Sequence, residues 1–145
     1  MEVYSIGFTQ KTAEQFFGIL KQAGIRRLLD VRLNNVSQLA GFSKREDLQF
    51  FLKEICGAEY QHEPLLAPTQ EMLDGYKKRK GSWPEYEDRF LSLMAERSIE
   101  EKLDRSLFSI PTVLLCSEPT AEHCHRRLVL EYLGGKWGNL EIKHL

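Results

Sequence analysis

The 145-residue chain contains no apolar run close to the ~20 residues that cross a bilayer, which argues against a membrane-spanning protein. Its first residues, MEVYSIG, lack the basic-then-apolar layout of a secretory leader. An excess of one charge is missing too. The 20 basic and 21 acidic residues leave a formal charge of −1, so attraction to nucleic acid or anionic lipid could come only from a local patch. Cysteine is scarce: three residues, an odd number, do not make the paired framework of a secreted domain, and the cytoplasm is the expected location. No glycine-rich phosphate loop is present, since GFTQKT (7–12) fits neither the dinucleotide fingerprint nor the Walker lysine pattern. Internal repeats, low-complexity tracts and linkers are absent as well. With 42% hydrophobic and 28% charged residues, the composition is that of an ordinary globular protein, and residues 1–145 are expected to form a single domain.

What is present is a regular alternation of strand and helix signals. Residues 3–7 (VYSIG) read as a short strand. Thr12 and Gln15 have capping-box spacing. Ala13, Phe16, Phe17 and Leu20 then recur on one helical face, and Gly24 suits the C-terminal cap. RRLLDV (26–31) reads as a second strand and AEYQHE (58–63) as a third. Between them the spacing predicts a capping box at Ser43 and Glu46 and a helix through Leu48, Phe51, Leu52 and Ile55 to Gly57, with Cys56 as core filling. Residues 68–107 read as helical, broken at 81–83 (GSW), with Pro84 at a helix start and another capping box at Ser98 and Glu101. This stretch is too long for a simple crossover and is expected to be an insertion beside the sheet, serving as a lid. PTVLLC (111–116) is then a buried strand, TAEHCHRRLVLEYL (120–133) a helix and LEIKHL (140–145) a closing strand. The expected fold is an α/β three-layer sandwich: a mainly parallel sheet of about five strands, helices on both faces, and a helical insertion at roughly 68–107.

Ligands of such sheets bind beyond the C-terminal ends of the strands. Those ends carry Thr9, then Asp30 and Arg32, then His62, then Cys116, Ser117 and Glu118. In the last helix, positions 125, 128, 129, 132 and 133 share one face, which turns His125 towards the sheet and puts Cys124 ~100° round the helix. A thiol near a helix N-terminus, with Arg126 beside it, is expected to ionise readily. Each residue has a plain structural explanation as well: a strand end for Cys116, a core-edge histidine at 125, a salt bridge for Asp30 and Arg32. Their convergence on one rim favours a site.

Spacing excludes one chemistry. A Cys-x5-Arg phosphatase loop needs arginine six positions after the nucleophile, whereas Cys116 leads to Glu122 and Cys124 to Leu130. The LLDVR strand and the strand–cysteine–loop–helix unit resemble rhodanese-like domains in architecture, but CSEPTAEHC carries a proline and two acids instead of a tight nest of N–H groups. For zinc, Cys116, His123, Cys124 and His125, with His62 or His144, form a candidate ligand set. It is weakened by the missing C-x2-C spacing and by the adjacency of 124 and 125 on one helix. Redox pairing of Cys116 with Cys124 requires Cα atoms within ~7 Å, which a strand end and the next helix start can reach. The basic run YKKRKGSW (76–83), interleaved with Tyr76 and Trp83, favours nucleic acid, although a solvated helix end explains it equally well.

The order IGFT, LLDVR, GF, LLCSE and CHRR, running from Ile6 to His144, resembles the family called domain of unknown function 488. The resemblance implies a bacterial or archaeal α/β domain, with a DNA-repair label on some members. It puts the family's motif positions on Asp30, Arg32, Ser37, Cys116, Glu118, Cys124, His125 and Arg126, with His144 in the closing strand. Two positions depart from the pattern: Phe8 stands where the family usually has histidine, and Leu33 follows DVR in place of the usual proline.

These observations lead to an expected thiol-dependent cytoplasmic enzyme. Cys124 would be nucleophile or redox centre, Cys116 its partner and His125 a base or orienting group, with Glu118 beside them. Arg32, Arg126, Asp30, Thr9 and Ser37 would bind an anionic small molecule, phosphate-bearing or nucleotide-like, with His62 and His144 as additional candidates. No metal or other cofactor is expected on this reading. The alternatives are a non-catalytic nucleotide or nucleic-acid binding domain linked to DNA repair, and a structural metal-binding protein.

Overall fold

The computed structural model describes residues 1–34, 41–77, 81–118 and 121–145. Among these residues five strands are present: β1 Glu2–Gly7, β2 Arg27–Asp30, β3 Glu59–His62, β4 Thr112–Cys116 and β5 Glu141–His144. All neighbours pair in parallel, in the order β3-β2-β4-β1-β5. Six helices connect them: α1 Ala13–Gln22, α2 Arg45–Phe51, α3 Gln70–Lys77, α4 Trp83–Arg97, α5 Ile99–Lys102 and α6 His125–Trp137. The α/β sandwich expected from the sequence is the fold observed, and the sheet is wholly parallel.

The strand order dictates the layers. From β1 the chain runs to β2 and then β3, towards one edge; it returns to β4 and continues to β5, towards the other. Right-handed crossovers place connections of opposite direction on opposite faces. Accordingly Phe16, Phe17 and Leu20 of α1 and Leu48 of α2 pack with Ile6, Leu28, Val113 and Leu115. On the other face Phe90 and Met94 of α4 and Leu128, Val129 and Leu133 of α6 pack with Leu29, Leu114 and Cys116. β4 is covered on both faces, which explains its unbroken apolar run. It lies between β2 and β1, whose onward connections leave over the opposite face from its own. The C-terminal end of β4 therefore opens into the crevice.

Local signals set several boundaries. Thr12 N–H donates to Gln15 Oε1 at 2.9 Å and Gln15 N–H to Thr12 Oγ1 at 3.1 Å, the capping box expected of α1. Gly57 ends the α2 segment in the left-handed region, after a π-helical turn over Leu52–Cys56. That turn rotates Ile55 outward, so Ile55 is exposed rather than on the buried face. The two other capping boxes are corrected. Ser43 is buried in a 3-10 turn and the cap of α2 falls one residue later, on Lys44. Ser98, with φ +51°, is the left-handed end of α4 and makes no side-chain cap to α5. The middle third forms most of one sandwich layer, contributing Met72, Tyr86, Phe90, Met94, Ile99 and Leu103 to the core.

Gly7 marks a close approach at the rim. A Cβ there would lie 1.5 Å from the carbonyl oxygen of Glu118 and 2.9 Å from Arg126 Nη1. The loop after β4 thus presses on the end of β1, and only glycine leaves it room. Gly7→Ala is expected to destabilise by more than ~2 kcal/mol through overpacking. Gly18→Ala, on the exposed side of α1 with nothing within 4 Å, should instead stabilise by ~0.5–1 kcal/mol. Urea unfolding of the two variants measures the contrast.

Candidate functional site

A cavity of about 320 Å³ lies at the C-terminal rim of the sheet. Tyr76 and Lys77 of α3 and Trp83 and Tyr86 of α4 form one wall. The chain leaving β4 (Cys116, Ser117, Glu118), the approach to α6 (His123, Cys124, His125) and Arg32 with Leu33 and Asn34 face it, and Pro68, Gln70, Leu73 and the carboxylate-bearing Asp74 complete the lining. Trp83 stacks on both Tyr86 and His123, at 5.2 and 5.0 Å between ring centroids. The helical insertion is therefore a packed wall of the cavity as well as a layer of the core.

Cys116 is the last residue of β4. Cys124 caps α6 in an extended conformation, φ −139° and ψ 141°. The helix starts at His125, so Cys124 stands off it and the ~100° helical offset between the two does not apply. Cys116 and Cys124 are joined as a disulfide, with Cα atoms 7.5 Å apart, just beyond the ~7 Å expected from the sequence. Both are almost fully buried, at 1% and 2% exposure, so the pair forms the floor of the cavity.

Arg126 is not at the surface, as its place beside Cys124 in the sequence suggests. Its side chain is fully buried behind Cys116. Nε donates to Ser5 Oγ at 3.1 Å, and Nη1 to Cys116 Sγ at 3.0 Å and to the Glu118 carbonyl at 2.8 Å. Among the described residues no carboxylate pairs with it. A guanidinium in this setting is costly to desolvate, and burial pulls its pKa down to about 10. The anion that would balance it best is a thiolate at Cys116, because the bond to sulfur is already formed.

His125, on the first turn of α6, does turn towards the sheet. Its Nε2–H donates to the Val31 carbonyl at 2.8 Å, which leaves Nδ1 with its lone pair. Burial holds its pKa at about 4, so the ring is neutral near pH 7 and a weak base. Among the described residues, Cys116, Cys124 and His125 each place one donor atom within 4.8 Å of the others. Of the wider candidate ligand set, His62, His123 and His144 are not part of this group.

Arg32 supplies the opposing charge. Asp30, fully buried, accepts from Arg32 Nε and Nη2 at 2.8 Å each and from Tyr60 Oη at 2.6 Å. Nη2 also donates to the Ser43 carbonyl at 2.7 Å, and the guanidinium lies over Phe8, 5.3 Å from the ring centroid. Nη1 is buried with no hydrogen-bond partner among the described residues. Asp30 thus orients Arg32 without lining the cavity, and Phe8, at the position where histidine was the expected residue, backs the arginine with an aromatic face.

The remaining candidates are supports. His62 Nε2–H donates to the Arg32 carbonyl at 2.9 Å. Thr9 donates its hydroxyl to the Ser117 carbonyl and ties β1 to the loop after β4. His144 lies behind Arg126, where Ser5 accepts from Arg126 Nε and its hydroxyl pairs with His144 Nδ1. The Glu118 carboxylate meets Lys77 at 2.8 Å, with both side chains well exposed, a pair that adds little stability. Ser37 lies outside the described residues, as do Lys78, Arg79 and Lys80 of the basic run. Cys56 is half-buried against the α1 face, and burial raises its thiol pKa. Sequence reasoning passed over Ser5, Tyr60 and the Val31 carbonyl, since nothing in their local pattern distinguishes them from other strand residues.

A family model decides the assignment. The model described as "Domain of unknown function DUF488" matches residues 12–133. The chain belongs to the DUF488 family. The DUF488 match runs from the capping threonine of α1 into the last turns of α6, so it includes Arg32, both paired cysteines, His125 and Arg126, while β1 and β5 lie outside it. No curated protein and no solved structure matches the chain.

The histidine has a consequence for stability. An unfolded chain protonates His125 near 6.5, whereas the folded one resists until about 4. Unfolded molecules then bind the extra proton, so stability falls as pH drops from about 6.5 to 4, by at most ~3 kcal/mol. His125→Gln, which keeps an amide donor for Val31, should flatten that part of a stability-against-pH curve.

Proposed function

We propose that this DUF488 protein is a thiol–disulfide oxidoreductase of a reducing compartment, the cytoplasm, acting on small anionic disulfides. The observation that carries the reading is the paired Cys116 and Cys124 on the cavity floor, with the buried Arg126 guanidinium bonded to Cys116 Sγ. Arg32, paired with Asp30, and the more exposed Lys77 line the cavity and are the cations that a carboxylate or phosphate on the substrate would meet.

In the reduced protein, Cys124 loses its proton and its thiolate attacks one sulfur of the substrate RSSR. The S–S bond breaks, one RS⁻ leaves, and Cys124 holds the other half as a mixed disulfide. Cys116, kept as thiolate by Arg126, then attacks Cys124 Sγ and expels the second RS⁻. Two electrons pass from the cysteine pair to the substrate; the Cys124 proton and one proton from solvent complete the two RSH. Two molecules of a small thiol then return the protein to the dithiol, giving up two electrons and two protons and leaving joined to each other as a disulfide. His125, neutral and fixed by Val31, orients Cys124 more than it removes its proton.

A nucleotide or nucleic-acid binding domain using both arginines is less well supported, because Arg126 is buried beneath Cys116 and has no surface to offer a phosphate backbone. Competing substrates test the redox reading. Reduced protein should reduce dithiodipropionate, which is anionic, at least tenfold faster than cystamine, which is cationic. Arg32→Gln should erase the preference and Cys124→Ser should abolish turnover. Equal rates for the two disulfides, or turnover that survives Cys124→Ser, would overturn it.

A further inference from the structure

We infer that the reduced chain holds a zinc ion on Cys116, Cys124 and His125, with the fourth coordination position facing the cavity. The donors come from two elements fixed by different forces: Cys116 ends a strand buried on both faces, and Cys124 with His125 forms the start of α6. One donor atom from each lies within 4.8 Å of the others. Around a tetrahedral ion, bonds of ~2.3 Å to sulfur and ~2.0–2.1 Å to nitrogen put donor atoms ~3.4–3.8 Å apart. The three groups reach that spacing by side-chain rotation. The Cα separation of 7.5 Å between the cysteines exceeds the ~4.4–6.8 Å of most disulfides, and two thiolates on one ion span it easily.

Adjacency of residues 124 and 125 is no obstacle, because Cys124 is extended and only His125 is helical. The outer contacts are also those of a metal site. A ligating histidine donates its other ring N–H to a carbonyl or carboxylate, which fixes the ring; here Val31 accepts from Nε2, and Nδ1 is the nitrogen left to bind. The Arg126 N–H bond to Cys116 Sγ would temper the charge of a metal-bound thiolate. Two thiolates and one Zn²⁺ sum to zero and Asp30 balances Arg32, so the uncompensated Arg126 leaves the centre net positive and favours an anion or hydroxide as fourth ligand. Three protein ligands with one exchangeable position is the arrangement of catalytic rather than closed structural zinc.

This inference shares its sulfurs with the redox proposal but does not rest on it. The disulfide must first accept two electrons and two protons from a reductant, after which zinc displaces the thiol protons. Zinc would then protect the dithiol until an oxidising substrate arrives.

The test uses the full chain, reduced with a phosphine under argon and titrated with Co²⁺ and then Zn²⁺. One equivalent of Co²⁺ should give thiolate-to-cobalt charge-transfer absorption, which Zn²⁺ abolishes. Cys116→Ser and Cys124→Ser should each remove the band, His125→Gln should weaken Co²⁺ binding at least tenfold, and Cys56→Ser should leave it unchanged. Far-ultraviolet circular dichroism confirms that each variant is folded. The wild-type protein serves as a second probe, since alkylation before titration should abolish the band. Absence of charge transfer in the reduced wild type, or a band that survives Cys116→Ser, overturns the inference. Failure of the titration with anionic disulfides still turned over removes zinc alone; metal binding without turnover removes the redox proposal alone.

Discussion

The rim is organised by one buried cation. Arg126 carries its charge inside the protein with no carboxylate beside it among the described residues, held by a serine hydroxyl, a carbonyl and a cysteine sulfur. A charge so placed is expensive unless something nearby answers it. Its bond to Glu118 fixes the loop after β4, and that loop in turn excludes any side chain at Gly7. Its bond to Cys116 gives the sulfur a standing reason to be an anion. Loop path, glycine requirement and thiol chemistry follow from the same guanidinium.

The topology supplies the place where this matters. β4 sits between two strands whose connections depart over the opposite face, so the chain leaving it has the crevice to itself. α3 and α4 close that crevice with an aromatic wall, and the Asp30–Arg32 pair stands across from the sulfurs. Among the described residues, the cavity combines a sulfur floor with the cations Arg32 and Lys77 and the carboxylates Asp74 and Glu118.

Much of this was legible in the residues. The Thr12–Gln15 box, the apolar run of β4 and the terminal glycines Gly24 and Gly57 are local signals that fell where they were read, whereas the Gly134–Gly135 pair, which reads as a helix stop, lies inside α6. The Ser43 and Ser98 boxes had the same spacing and failed. Ser43 is buried where its carbonyl braces Arg32, and Ser98 occupies a left-handed junction between two helices. Helical phase turned His125 the right way, yet it assigned Cys124 to a helix that begins one residue later. The sequence places Arg126 near the thiol as an anion binder but not its burial: only the pairing of β1 with β4 reveals that Ser5, Glu118 and Cys116 enclose it. Contacts between residues 121 positions apart, such as Ser5 with Arg126, leave no trace in local spacing.

If Arg126 is there for the sulfur, the sulfur must show it. The most direct measurement is an ultraviolet thiolate titration of the reduced chain carrying Cys56→Ser and Cys124→Ser, which leaves Cys116 as the one thiol. Its midpoint should lie clearly below the ~8.5 of a free cysteine and rise by a unit or more on Arg126→Met. A midpoint at or above ~8.5 that ignores the loss of Arg126 would contradict the account.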